Sequence, residues 1–126
     1  PLINNNLGYI SISHCKDAIL IGWSKDNLGV DIERKVRKIN HNLLKDYVFN
    51  DCQIPTIKQE VSEKNLYLLG WSAKESAIKW QKGKILRDIT NWVIEKDFNY
   101  MRNNITGTKL KISYIIHKNW VITCVF

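Results

Sequence analysis

No stretch of this sequence stays apolar for the roughly 20 residues that a membrane-spanning helix requires. Its hydrophobic runs are short and broken by charge. Nor does a basic start lead into a long apolar segment, so no signal peptide is read. The expected location is the cytoplasm, with no membrane as partner. Cysteine is scarce: Cys15, Cys52 and Cys124 are odd in number and widely spaced. That excludes a disulfide framework and a cysteine metal knuckle. Three largely buried free thiols in a reducing compartment are expected, and no histidine or aspartate pattern marks any of them as a nucleophile. Low-complexity tracts and internal repeats are absent. Acids are the minority, 12 against 19 lysines and arginines, for a net charge of +7. Such a balance favours an anionic partner (nucleic acid, a phosphorylated small molecule or an acidic protein) or serves solubility alone.

What is present suits one domain, residues 1–126, with a real core. The chain has 126 residues, 44% of them apolar, and five tryptophans. Leu7 to Ser13 alternates apolar and small polar residues, as a strand does. His14 to Asp17 reads as a turn and Ala18 to Trp23 as a second strand. Lys25 to Gly29 is a turn, followed by a short strand from Val30 to Glu33. Asn40 to Phe49 has helical spacing, and Asn50 to Gln59, with Pro55, reads as loop. The clearest helix begins at Ser62 and stops at Gly83. Its Leu66, Leu69, Ala73, Ala77 and Trp80 form one apolar stripe. Trp92 to Phe98 is a candidate strand. Leu110 to Ile116 and Trp120 to Phe126 form a hairpin about His117-Lys118-Asn119. The fold class is therefore α+β.

Two short segments carry chemistry. In Gly29-Val30-Asp31-Ile32-Glu33, strand alternation turns Val30 and Ile32 one way and Asp31 and Glu33 together the other. Two carboxylates on one face repel unless a cation lies between them, and hard oxygen donors suit magnesium beside a phosphate. Taken alone, the pair reads more readily as a solvated edge strand with two surface acids. In Trp71-Ser72-Ala73-Lys74-Glu75-Ser76-Ala77-Ile78-Lys79, Glu75, Lys79 and Lys82 fall opposite the apolar stripe. An ordinary i, i+4 ion pair accounts for that arrangement too.

Taken in order, Ile12-Ser13-His14, Gly29 to Glu33 and Trp71 to Lys79 resemble the 4'-phosphopantetheinyl transferase superfamily in its longer, pseudo-dimeric form. The resemblance implies an antiparallel sheet packed with helices: one half of the pseudo-dimer plus the end of the other, most of the first half being missing. It implies a magnesium-dependent holo-[acyl-carrier-protein] synthase. Such an enzyme moves the 4'-phosphopantetheine group of coenzyme A to a serine of an apo acyl or peptidyl carrier protein and releases adenosine 3',5'-bisphosphate. By resemblance Asp31, Glu33 and Glu75 are the metal ligands, and Glu75 and Lys79 the catalytic pair. His14, Ser13, Lys74 and Lys79 would contact coenzyme A, which is the substrate, with Mg2+ as cofactor. The basic run Arg34 to Lys38 would grip nucleotide phosphates or an acidic carrier. A fragment, an oligomer with a site between subunits and an inactive relative all remain open. The rival readings are a non-catalytic carrier-binding fragment and a small basic nucleic-acid-binding module, though no recognised nucleic-acid motif occurs.

Overall fold

The computed structural model describes residues 7–36, 47–49, 55, 57 and 61–126, and the backbone of 2–4. The helix expected at 40–49 and the loop at 50–59 lie outside the described residues, apart from Tyr47, Val48, Phe49, Pro55 and Ile57. Of these, Tyr47 and Val48 are helical. Cys52, Arg37 and Lys38 also fall outside them.

Among the described residues, eight strands form two antiparallel sheets. The smaller one runs β1 (Leu2–Asn4), β2 (Gly8–Cys15), β3 (Ala18–Ser24). The larger has the order β4-β8-β7-β6-β5. It is built from β4 (Gly29–Arg34), β5 (Trp92–Ile94), β6 (Tyr100–Asn103), β7 (Lys109–His117) and β8 (Trp120–Val125). One long helix, α1 (Glu63–Gln81), lies across β4 and β8, and a one-turn helix, α2 (Ile85–Asp88), follows it. The α+β class read from the sequence is the class observed.

Helix α1 starts where a hydroxyl can serve its free N–H groups. Ser62 is the N-cap, and its side chain accepts from the Asn65 amide at 3.3 Å. It ends in a Schellman arrangement, with Gly83 N–H donating to Ile78 O and Lys82 N–H to Lys79 O. The left-handed residue is Lys82 (φ 58), not Gly83. Gly83 serves another need: a Cβ there would overlap the Asp88 carboxylate. The expected stop is right in place, but its cause is close approach and not backbone freedom. Lys82 sits past the last helical turn and lines, with Lys79, a second and smaller pocket.

The buried surface of α1 is wider than one stripe. Tyr67, Leu68, Leu69, Ala73, Ala77 and Ile78 are buried, while Leu66 and Trp80 pack at its margin. They meet Leu110 and Ile112 of β7, Val121 and Val125 of β8, and Trp92, Phe98 and Met101 in one core. The strand expected over Trp92 to Phe98 stops at Ile94. Phe98 takes φ 60 and is fully buried, and the Asp97 carboxylate accepts from the Asn99 amide at 3.1 Å, so the chain reverses there. β6 is the returning strand, paired through Ile94 and Met101. Cys15 and Cys124 are free and half-buried, less enclosed than expected.

Candidate metal and phosphate site

The site follows from how β4 is gripped on two sides. At its open edge, β2 supplies hydroxyls in place of a backbone ladder. Val30 N–H donates to Ser11 Oγ at 3.0 Å and Ile32 N–H to Ser13 Oγ at 3.2 Å. On one face, Gly29 lies so close to α1 that a Cβ would overlap the Ser76 carbonyl oxygen. Only glycine lets the helix settle this low on the strand. The roll of the helix is fixed by a buried polar cluster one strand over. Thr123, paired in register with Asp31, shares hydrogen bonds with Ser72 at 2.8 Å and with Ser76 at 2.7 Å.

With depth and roll set, Glu75 and Lys79 come down over the face of β4 that carries Asp31 and Glu33. Strand alternation predicted that the two acids share a face, and they do. They point toward α1 and are buried, rather than lying on a solvated edge. Lys79 does not pair along its own helix in the simple i, i+4 manner. Its ammonium reaches β4, donating to Val30 O and to Asp31 Oδ1, both at 3.0 Å. Ser13 also donates to Asp31 Oδ1, at 2.9 Å. The other oxygen, Asp31 Oδ2, is buried and has no hydrogen-bond partner.

Asp31, Glu33 and Glu75 each offer an oxygen, and these oxygens all lie within 4.8 Å of one another. Burial, then the charges of Asp31 and Glu33, raise the Glu75 carboxyl to about 7 against the pull of Lys79. Three acids held this close are costly without a cation among them. Hard oxygen donors, a partnerless buried carboxylate oxygen and an adjacent ammonium fit a divalent ion such as Mg2+.

These groups open onto a pocket of about 670 Å³, within the usual range for small-molecule sites. Ser13 and His14 form one wall and Lys79 another, with Lys16, Arg34 and Val36 at the same pocket. Arg34 stands 3.5 Å from Asp17 through Nε, which ties it to the β2–β3 turn. Anionic donors at the base and cations around them suit a phosphorylated ligand bridged to a metal. Of the residues expected here, Asp31, Glu33, Glu75, Lys79, Ser13 and His14 are brought together. Lys74 is not: it is fully buried, and its ammonium donates to Tyr47 O at 2.6 Å, away from this pocket. Sequence reading passed over Gly29, Ser72, Ser76 and Thr123 as positioning residues. Two serines four apart, on either side of Glu75 in α1, were the available signal.

An α+β fold that closes three carboxylates and a lysine over one pocket has the donor set of a protein handling phosphate through a divalent cation. The sequence model of the 4'-phosphopantetheinyl transferase superfamily matches residues 27–125, and the chain belongs to that superfamily. No curated protein matches the chain in a sequence search.

Proposed function

We propose that this chain transfers the 4'-phosphopantetheine group of coenzyme A to a serine hydroxyl of an acidic acyl or peptidyl carrier protein. The observation that carries the reading is the convergence of Asp31, Glu33 and Glu75 beside Lys79, in a chain of this superfamily. Asp31, Glu33 and Glu75 would hold Mg2+, which when bound supplies neutralising charge to the pyrophosphate of coenzyme A. Lys79 is placed by Asp31 and the Val30 carbonyl, so its ammonium is oriented before substrate arrives. It stabilises the negative charge that collects on the departing nucleotide. His14 and Ser13, on the facing wall, complete the phosphate contacts. Ser13 also holds Asp31 in one rotamer.

The carrier serine oxygen attacks the β-phosphorus. A new P–O bond to serine forms as the bond to adenosine 3',5'-bisphosphate breaks. Glu75 accepts the serine proton directly or through one water. Positioning and electrostatics carry the rate, and no covalent enzyme intermediate is needed. The +7 net charge, with Arg34 and Lys16 at the pocket, favours the approach of an acidic carrier. Lys74 acts from behind, tying the helix to Tyr47. We read residues 1–126 as the later part of the long form together with the end of its first half. In support, the β2–β3 hairpin that carries Ser13 and His14 stands ahead of the matched span.

The test is the mass of an apo carrier protein after incubation with the chain, coenzyme A and Mg2+. A gain of one phosphopantetheine that a chelator abolishes is the expected result. No gain on a carrier that a control transferase loads would overturn the reading. Binding of the carrier without transfer would favour a non-catalytic carrier-binding role.

A further inference from the structure

The two oxygens of the Asp31 carboxylate are held unequally. Ser13 Oγ donates to Oδ1 at 2.9 Å, and Lys79 Nζ donates to the same oxygen at 3.0 Å. Oδ2 is buried and takes no hydrogen bond. A carboxylate oxygen has about two lone-pair sites, so Oδ1 is fully engaged while Oδ2 is bare. One donor stands on β2 and the other on α1, so the carboxylate is gripped from two elements at once.

Each donor is itself fixed. The Ser13 hydroxyl accepts from Ile32 N–H at 3.2 Å, which aims its single proton at Asp31. Ser13 is 7% exposed, so water competes poorly for that proton. The Lys79 ammonium also donates to Val30 O at 3.0 Å, and its third proton is left for an anion in the pocket. The asymmetry bears on which ion the three acids accept. Mg2+ is small, demands near-octahedral geometry and suits carboxylates that give one oxygen each. Ca2+ takes more oxygens in looser geometry and readily uses both oxygens of one carboxylate. Discrimination between the two follows ligand number and flexibility.

We propose that Ser13 and Lys79, by engaging Asp31 Oδ1, make Asp31 a one-oxygen ligand through Oδ2 and so set the seat for Mg2+ against Ca2+. The proposal rests on reading Asp31, Glu33 and Glu75 as a metal seat. Ser13 is then a positioning residue, acting through Asp31 more than on phosphate directly. The other inward serine of β2 supplies the contrast. Ser11 clips β4 in the same way, accepting from Val30 N–H at 3.0 Å. It lines the smaller neighbouring pocket and not the one that holds the acids.

The experiment is displacement of bound Mn2+ by Mg2+ and by Ca2+, followed by electron paramagnetic resonance. It compares the wild type with Ser13→Ala, Lys79→Met and Ser11→Ala, and thermal melts verify that each variant is folded. The readout is the ratio of the Ca2+ and Mg2+ dissociation constants. The charge lost in Lys79→Met acts on both ions alike, so the ratio isolates the freed oxygen. Lys79 is part-exposed, so its variant carries the test where Ser13→Ala melts too low. The wild type and Ser11→Ala are expected to prefer Mg2+ to the same degree. Ser13→Ala and Lys79→Met are expected to narrow that preference roughly tenfold, the scale typical of a group behind a metal ligand. An unchanged ratio in either donor variant, an equal change in Ser11→Ala, or a wild type that prefers Ca2+ would overturn the proposal and leave the metal seat standing. A wild type that binds no Mn2+ would overturn the seat and the proposal with it.

Discussion

Replacing Glu75 by glutamine should make the metal-free protein more stable, although it removes a proposed ligand. Burial and the neighbouring charges of Asp31 and Glu33 move the Glu75 carboxyl from 4.5 to about 7. A change of that size is worth about 3 kcal/mol. The folded state holds the Glu75 proton more tightly than the unfolded chain does. Its contribution is therefore fully present below pH 4.5, falls as pH rises, and is gone above about 7. Coulomb repulsion agrees in scale: two carboxylates some 5 Å apart repel by about 3 kcal/mol at an effective dielectric near 20. Glutamine keeps the shape and cannot ionise. At pH 8 with chelator, Glu75→Gln should be more stable by up to about 3 kcal/mol, roughly 10 °C in Tm for a chain of this size. At pH 4.5 the two proteins should melt nearly together. Saturating Mg2+ should reverse the order at pH 8. A thousandfold excess over Kd stabilises the wild type by about 4.1 kcal/mol, with little gain for the variant. Calorimetry at the two pH values, with and without Mg2+, reads all four quantities. A variant no more stable than wild type at pH 8 in chelator would refute the reasoning.

Other consequences are equally open to measurement. Gly29→Ala forces a methyl against the Ser76 carbonyl. It should cost about 1–3 kcal/mol by urea denaturation and lower transfer further by lifting Glu75 off β4. Thr123→Val removes the hydroxyl that Ser72 and Ser76 share. It should cost about 1–3 kcal/mol, and a neutral result would show that the cluster does not set the helix roll. Lys79→Met frees Asp31 Oδ1 of one partner. It should lower kcat by about 10² or more while metal binding persists. A change in the coenzyme A KM alone would assign Lys79 to ground-state binding. Burial raises the Cys124 thiol, so peptide-resolved alkylation at pH 8 should label Cys124 more slowly in native than in denatured protein.

Much of this site can be read from the chain, because it rests on two local periodicities. Alternation puts Asp31 and Glu33 on one face of β4, and helical spacing puts Glu75 and Lys79 on one side of α1. Their meeting is not local. It depends on Gly29 admitting the helix and on Thr123, some ninety residues beyond β4, taking Ser72 and Ser76. Neither periodicity contains that information. Lys74 shows a second limit. Helical spacing gives its angle, yet its full burial depends on Tyr47, in a segment distant in sequence. The end of β5 was hidden for a related reason. Val93 and Ile94 look like strand residues, as does Phe98, whose left-handed backbone follows from the Asp97 turn and the core it fills. Alternation in β2 and β3 was plain in the sequence. Which face turned inward was not, because serine hydroxyls, and not apolar bulk, make the contact with β4.

The central claim is that Asp31, Glu33 and Glu75 are one metal seat. Its most direct test is a titration of the chain with Mn2+, followed by electron paramagnetic resonance with and without coenzyme A. The account predicts one bound ion per chain in the wild type. It also predicts loss of at least tenfold in affinity in Asp31→Asn and again in Glu75→Gln, and a changed spectrum when coenzyme A is added. Absence of a bound ion, or binding as tight in either variant as in the wild type, would contradict it.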